Sequence, residues 1–157
     1  RSATIAEESS GHRYVSAQNR YSLLTRGIEE DLVPVAQAQN VGIIPYFPLE
    51  SGLLSGKYTK GVKPAPDTRF GKWGGGGAFA SDQRWAAVGR LAAYGQQIGR
   101  SVLDLALGWL AAQPFVSSVI AGVTRPEQVR QNVAAAGWHP TAAQLTSIAE
   151  LAKTSPA

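Results

Sequence analysis

Short β-prone segments alternate with longer helical segments along this chain, and that alternation constrains its fold more than any other feature. The β-prone segments run from Tyr14 to Gln18, Gly42 to Tyr46 and Val116 to Ile120. Strands separated by helices pair in parallel, because the helix carries the chain back to the level at which the previous strand began. The sequence therefore predicts an α/β fold whose three strands are adjacent and parallel in chain order, with right-handed crossovers.

Helical segments are predicted on both sides of each strand. Apolar residues at helical spacing, Ser or Thr caps and a proline at a first helical position mark their bounds. The predicted helices are Ala3 to Ser9, Ile28 to Gln39, a helix through Gln97 that Ser81 or Asp82 could cap, Val102 to Gln113 capped by Ser101, Pro126 to about Ala136, and a last helix capped by Thr141 that runs to about Lys153.

The number of strands is small for a closed parallel architecture. A (β/α)₈ TIM barrel takes about 250 residues, and this chain has 157. We therefore expect residues 1–157 to be the C-terminal portion of a single barrel domain, with about three parallel strands, covering helices and a missing N-terminal part.

A long segment from Glu50 to Ser81 separates the second strand from the next helix. It is rich in Gly and Pro, includes four consecutive glycines from Gly74 to Gly77, and carries a cluster of basic residues. Long segments of this kind in compact domains are usually lids or disordered loops. We expect a mobile lid that stiffens over a small anionic ligand.

Composition excludes several classes of function. The chain has no cysteine, which excludes disulfides and thiolate sites, and its two histidines, His12 and His139, are too isolated to predict a metal site. The net charge of +4 is spread along the chain, as on a solvated surface rather than a nucleic-acid interface. No apolar run approaches the ~20 residues that cross a bilayer, and no signal-peptide pattern opens the chain. We expect a cytoplasmic protein without nucleic-acid or membrane partners, and the sequence leaves its oligomeric state open.

Polar or irregular residues follow each predicted strand. They are Gln18-Asn19, Tyr46 to Gly52, and Gly122 to Arg125. In parallel α/β folds ligands bind at that edge, and the third set also precedes a helix N-terminus that attracts phosphate. A purely structural role for these residues is equally open at this point. Short turns contain glycine for geometric reasons, a Tyr at a strand end often packs against its neighbours, and a Gln can satisfy neighbouring backbone groups.

Three segments resemble the aldo-keto reductases, especially the branch that includes the potassium-channel β subunits. They read YVSAQNRYSLL, GIIPYFPLESGLLSGKY and SSVIAGVTRPEQVRQNVAA, and they stand in the family's order. The resemblance covers about Tyr14 to Leu151 and implies a TIM barrel that binds a nicotinamide cofactor.

The resemblance also implies roles for individual residues. Gln18 would bind the nicotinamide carboxamide, Tyr46 would stack on the nicotinamide, and Lys57 and Arg69 would close over the phosphates. Phe47, Pro48, Leu49, Glu50 and Ser51 would lie along the pyrophosphate. Gly122, Thr124 and Gln128 match the adenosine-phosphate site, Gln131 and Asn132 the adenine site, and Arg125, at the same helix start, is a further candidate for the phosphate.

Three positions depart from the family pattern. Glu50 stands where a small residue is common beside the pyrophosphate, so its charge is unfavourable unless the side chain points away. Gly122-Val123 replaces a Lys-Ser pair, and Gln131 replaces the usual Glu. We still expect NADP rather than NAD, because Lys57, Arg69, Arg125 and a helix N-terminus favour an extra phosphate.

The family's catalytic Asp, Tyr, Lys and His belong to its first four strands, so no catalytic residue and no metal ligand is assigned here. The resemblance implies that the full-length parent reduces aldehydes or ketones with NADPH, this segment supplying cofactor binding. The alternative is a catalytically weak, cofactor-binding regulatory subunit like the channel β subunits. Substrate identity cannot be read from this segment.

Overall fold

Two parallel strands and six α-helices make up the framework of the computed structural model, which describes residues 11–154. The strands are β1 (Ser16–Arg20) and β2 (Gly42–Tyr46). The helices are α1 (Ile28–Ala38), α2 (Arg69–Lys72), α3 (Asp82–Gln97), α4 (Val102–Ala111), α5 (Pro126–Ala136) and α6 (Ala142–Leu151), and 3₁₀ helices cover Glu50–Ser55 and Gly77–Ala80. The helix expected from Ala3 to Ser9 lies outside the described residues. No helix of the described part is long and apolar enough to span a membrane.

Local capping chemistry accounts for the helix starts. Ser81, Ser101 and Thr141 each accept a hydrogen bond from a first-turn backbone N–H of α3, α4 and α6. The caps at Ser101 and Thr141 are as predicted, and of the two candidates for α3, Ser81 and Asp82, the cap is Ser81. Proline opens α5, as expected from its fixed φ. The predicted ends of α4 and α6 were each two residues too late, because apolar periodicity continues past the last helical turn.

The first strand lies two residues later than predicted. Pairing with β2 sets its register, with Ser16 opposite Gly42 and Arg20 opposite Tyr46. The β-prone side chains of Tyr14 and Val15 stand outside this ladder and are exposed. The prediction follows β propensity and therefore includes Tyr14 and Val15. In the structure, the register with the partner strand decides which residues pair.

The predicted third strand is parallel to β2 but does not form a regular ladder. Segment 116–120 makes two isolated parallel bridges, Ile43 to Val116 and Tyr46 to Ile120. Ile43 bonds normally, donating to Phe115 O at 2.8 Å and accepting from Ser117 N at 2.9 Å. Pro45 is the next β2 residue on that side, and it has no N–H to donate. The segment slips by one residue there, so that Ile120 N, at 2.9 Å, donates to Pro45 O.

The two faces of the sheet differ in burial. Side chains alternate along a strand, and Ile43 and Pro45 are buried. The opposite face carries Gln18, Arg20 and Tyr46, which are exposed or partly buried. The polar side chains at the strand ends therefore lie on the face that the helices leave open.

The 50–81 segment, which the sequence predicts to be a mobile lid, contains short helices and buried residues. Leu53, Leu54 and Phe70 are buried in the main core with α3 and α4. Tyr58 stacks on Phe70 at 4.3 Å between ring centroids, and its hydroxyl accepts a hydrogen bond from Phe70 N at 3.1 Å. Both ends of the segment are thus anchored, and the surface-exposed parts lie around 59–67 and 72–75.

Two helical glycines should respond to alanine in opposite ways. A Cβ at Gly108, in buried α4, would lie 2.7 Å from Trp138 Cε3, whereas a Cβ at Gly89, in α3, would meet nothing within 4 Å. Gly108→Ala should lower the free energy of unfolding by about 1–3 kcal/mol through overpacking. Gly89→Ala should raise it by about 0.5–1 kcal/mol, because glycine is costly inside a helix. Urea denaturation of both variants measures this, and equal signs would contradict the packing of α4 against Trp138.

Candidate functional site

The three polar strand ends meet at one edge of the sheet. Arg20, the last residue of β1, pairs with Tyr46, the last residue of β2, and Tyr46 bridges to Ile120. Gly122 follows Ile120 by two residues, a reach of at most about 7 Å. The residues predicted at the ends of separate strands are therefore brought to a common edge.

The turn that follows β2 (residues 47–52, the β2 turn) has a backbone that most side chains avoid. Phe47, Glu50 and Ser51 have φ values of 59°, 47° and 59°, and Gly52 has a φ of 101°. Non-glycine residues seldom adopt positive φ, so three within five positions must be held by their surroundings. Backbone hydrogen bonds contribute, including Gly52 N to Leu49 O at 2.8 Å.

The Glu50 carboxylate holds this turn to the rest of the molecule. Its side chain is fully buried. Oε2 accepts hydrogen bonds from Arg20 Nη2 and Arg84 Nη1, both at 2.7 Å. Oε1 accepts from Ser22 Oγ at 2.6 Å and Thr25 Oγ1 at 2.7 Å. One carboxylate thus joins the end of β1, the following loop, the β2 turn and α3.

The electrostatics of this cluster favour an ionised Glu50. Burial on its own raises the pKa of the Glu50 carboxyl, but the hydrogen bonds from Ser22, Thr25, Arg84 and Arg20 outweigh it and hold the pKa below its ordinary value. Its carboxylate is fully buried within these contacts and is not exposed to a ligand at the candidate site. An acidic residue within an apolar segment of the sequence is a signal for a buried ion pair. That signal does not identify Arg20 and Arg84 as the partners of Glu50.

Aromatic rings flank the same edge. Tyr46 is partly buried and meets Phe47 edge-on at 5.9 Å. Phe47 stacks on Phe79 at 5.9 Å and an interplanar angle of 6°, and Phe79 belongs to the far end of the 50–81 segment. The Arg20 guanidinium carbon lies 5.1 Å from the Phe79 centroid, within cation–π range. Sequence reasoning missed Arg20 and Phe79 as parts of this site.

Several groups at the edge fit a dinucleotide. The Gln18 side chain is exposed on the same face as Tyr46. Lys57 folds back on the β2 turn, so that a Cβ on Gly52 would lie 2.9 Å from Lys57 Cε and 3.2 Å from its Nζ. The Ser51 hydroxyl is enclosed, with no hydrogen-bond partner among the described residues. An exposed amide, an ammonium group and an unpaired hydroxyl beside an aromatic ring are appropriate to a phosphate-bearing aromatic ligand.

The start of α5 carries the second group of predicted residues. Gln128 Oε1 accepts from Thr124 N at 2.8 Å and from Arg125 N at 3.2 Å. Gln128 therefore caps its own helix and engages the backbone N–H groups expected to meet a phosphate. Asn132 is four residues on, at the spacing that shares a helix face, and Gln131 is exposed.

The remaining basic candidates are exposed. Arg125 Nη2 lies 3.6 Å from Asp67 Oδ2, with both side chains 70% exposed. This contact joins the 50–81 segment to the start of α5. Arg69 packs over Trp73 at 5.5 Å, and Gly122 is exposed, with open space around it.

Comparison with known proteins gives one family. The sequence model described as "Aldo/keto reductase family" matches residues 1–153. The chain is 33% identical to "Protein tas" of Escherichia coli over 131 residues, an alignment that covers 82% of this chain and 37% of that protein. It is 36% identical over 129 residues to "Putative voltage-gated potassium channel subunit beta" of Schizosaccharomyces pombe, covering 77% and 36%. It is 31% identical over 139 residues to "NADH-specific methylglyoxal reductase" of Escherichia coli, covering 87% and 41%. The chain thus spans 36–41% of the length of these relatives.

Removing the Glu50 charge should destabilise the fold in a pH-dependent way. At pH 7, Glu50→Gln leaves two guanidinium groups uncompensated and should cost about 3 kcal/mol, the lower end for breaking a buried pair because Arg20 is partly exposed. Folding lowers the pKa of Glu50, so its ionisation stabilises the fold above the ordinary value of about 4.3. That contribution is lost as the pH falls through the lowered folded pKa.

Urea denaturation of wild type and Glu50→Gln between pH 7 and pH 3 checks this. The difference between them should stay constant down to about pH 5 and shrink below it. Glu127→Gln, an exposed acid 3.6 Å from Arg130, is the matched control and should change stability by under about 0.5 kcal/mol. A difference that grows toward low pH would contradict the charged network.

Proposed function

The chain belongs to the aldo/keto reductase family, and from that membership we propose that the whole protein is an NADP-dependent oxidoreductase that reduces aldehydes or ketones to alcohols. The family has a TIM-barrel fold, generally uses a nicotinamide cofactor and acts on small carbonyl compounds. Two relatives named "NADH-specific methylglyoxal reductase" and "L-glyceraldehyde 3-phosphate reductase" support the reductase activity. This chain supplies cofactor binding, and the catalytic residues belong to strands that it does not contain.

The observation that carries the proposal is the edge shared by β1, β2 and segment 116–120. Gln18 and Tyr46 lie on one face of adjacent strands as diagonal neighbours, so an amide and an aromatic ring are both within reach of a nicotinamide. The β2 turn and Lys57 lie beyond Tyr46, along the course of a pyrophosphate. The cofactor supplies the hydride, while this chain binds it and fixes which ring face is open.

Exposed apolar residues support a larger single domain around this chain. Tyr14 and Val15 are 75% and 77% exposed beside β1, and Val133 on α5 is 67% exposed. Parallel sheets are covered on both faces, and large apolar side chains in an array are usually covered too. We therefore assign residues 1–157 to the C-terminal part of one barrel whose other strands complete the sheet.

The basic residues favour NADP over NAD. Lys57 and Arg69 come from the 50–81 segment and Arg125 from the start of α5, so cationic groups from two parts of the chain would be available to a bound nucleotide. A 2′-phosphate adds charge that these groups can bind. Because one relative is named as NADH-specific, the preference between NADP and NAD is to be measured directly.

The second candidate function is a cofactor-binding regulatory subunit with weak turnover. Relatives from fission yeast, rice and Arabidopsis that are named as putative or probable voltage-gated potassium channel subunits beta favour it, at 36%, 34% and 33% identity. Single-turnover oxidation of bound NADPH by an aldehyde separates the two. Tight cofactor binding with no aldehyde-dependent oxidation would favour the regulatory subunit.

Tyr46 should bind the cofactor through its ring. In the whole protein, Tyr46→Ala should weaken NADPH and NADH equally, by about 1–3 kcal/mol for a lost stack on a flat ring. Tyr46→Trp should retain most of the affinity. Quenching of protein fluorescence by each cofactor gives both dissociation constants. Unchanged affinity in Tyr46→Ala would remove the ring from the site and contradict the proposed function.

Arg125 and Asp67 should change NADPH affinity in opposite directions. If the Arg125 guanidinium binds the 2′-phosphate, Arg125→Ala should weaken NADPH by about 1.5–3 kcal/mol while changing NADH by under about 0.5 kcal/mol. Asp67→Asn removes the acid 3.6 Å from Arg125 and should tighten NADPH modestly. An equal small loss for both cofactors in Arg125→Ala would exclude Arg125 and leave NADP preference to Lys57 and Arg69.

A further inference from the structure

The cluster around Glu50 carries more positive than negative charge. Arg20 and Arg84 both pair with Glu50, and among the ion pairs of residues 11–154 no other acid meets either guanidinium. Two guanidinium groups and one ionised carboxylate leave a net charge of +1 at the end of β1. A partly buried net charge is costly unless an opposite charge reaches it.

The two arginines differ in how far their donors are used. Arg84 is 18% exposed; its Nη1 bonds to Glu50, and its Nη2 bonds to Thr25 Oγ1 and Leu24 O. Arg20 is 38% exposed and makes one hydrogen bond in the described structure, from Nη2 to Glu50. Its Nε is enclosed without a partner. Because Nε is enclosed, the unused donors of the cluster that a ligand could reach are on the terminal nitrogens of the partly exposed Arg20 guanidinium.

The position of Arg20 directs those donors toward the candidate site. Arg20 is two residues beyond Gln18 on β1 and directly opposite Tyr46 on β2, so all three share a sheet face. Phe79 lies against its guanidinium at 5.1 Å, and Phe47 at 6.0 Å. Glu50 and the two rings hold the guanidinium beside the ring that would carry the nicotinamide.

We propose that Arg20 is a specificity-determining residue that binds the carboxylate or phosphate group of an anionic aldehyde or ketone substrate. The proposal rests on the proposed reductase function and adds a substrate class to it. A guanidinium binds carboxylate and phosphate through paired N–H groups, and one already fixed by Glu50 loses little freedom on binding.

Steady-state reduction by the whole protein tests the proposal. The substrates are 4-oxobutanoate and its methyl ester, which share the aldehyde and differ by one charge. The wild type should show kcat/KM for the anion greater by roughly tenfold to a hundredfold, the range for a hydrogen bond to a charged group. Arg20→Gln should abolish most of that preference, because it should lower kcat/KM for the anion far more than kcat/KM for the ester. 3-Phosphoglyceraldehyde against glyceraldehyde distinguishes phosphate from carboxylate preference in the same way.

Arg84→Gln is the matched control. It also removes one guanidinium from Glu50 but leaves Arg20 beside Tyr46, so it should affect both substrates equally and keep the preference. Loss of the preference in both variants would mean that it follows from the integrity of the Glu50 cluster, and would overturn the proposal. An NADPH dissociation constant raised tenfold or more in Arg20→Gln, with the ratio of anion to ester unchanged, would assign the guanidinium to the cofactor instead.

A binding experiment separates this inference from the proposed function. Succinate, an unreactive dianion, should raise the Tm of the NADPH-loaded wild type more than choline chloride of equal ionic strength, and Arg20→Gln should lose that difference. A succinate shift without aldehyde reduction would contradict the reductase and retain the anion site. Reduction of neutral aldehydes without any succinate shift would retain the reductase and overturn the anion site.

Discussion

The buried carboxylate of Glu50 is the constraint on which the candidate site depends. Its partners lie 25 to 34 residues away along the chain, on β1, in the loop after β1 and on α3. A buried charge is tolerated only when it is paired and its oxygens are hydrogen-bonded, and Glu50 meets both conditions. The same contacts hold Glu50 and its neighbours at positive φ, so the charge pairing also maintains the strained turn after Tyr46.

The network also changes the electrostatic character of the edge. The sequence alone predicts that the Glu50 charge is unfavourable beside a pyrophosphate, because like charges repel. In the fold that carboxylate is buried and paired with Arg20, so the exposed group at the edge is a guanidinium and not an acid. The charge that an acidic residue brings to the site therefore depends on its partners in the fold, here two guanidinium groups, and not on its place in the sequence alone.

The sequence predicted the local structure well and the long-range pairing poorly. Gly42–Tyr46 and Pro126–Ala136 have the predicted bounds, because proline and strong β-formers act locally. The strand at 116–120 was wrong as a regular strand, because its ladder depends on the missing N–H of Pro45, a residue about 70 positions away. Gln18 and Tyr46 were placed together by the parallel topology, whereas Arg20, Arg84 and Phe79 depend on tertiary contacts that no local pattern encodes.

The side-chain cap at the start of α5 uses the backbone N–H groups that a phosphate would also need, so the free energies of the two interactions can be compared. Gln128 accepts from the N–H groups of Thr124 and Arg125, which are the donors that a phosphate would need. A side-chain cap contributes about 1 kcal/mol, whereas a hydrogen bond from an N–H to a charged oxygen contributes about 1.5–3 kcal/mol. A phosphate can therefore displace the Gln128 amide at a net gain. Asn132 lies four residues, about one helical turn, beyond Gln128, so a Gln128 amide displaced from its cap would be beside Asn132 and free for other hydrogen bonds.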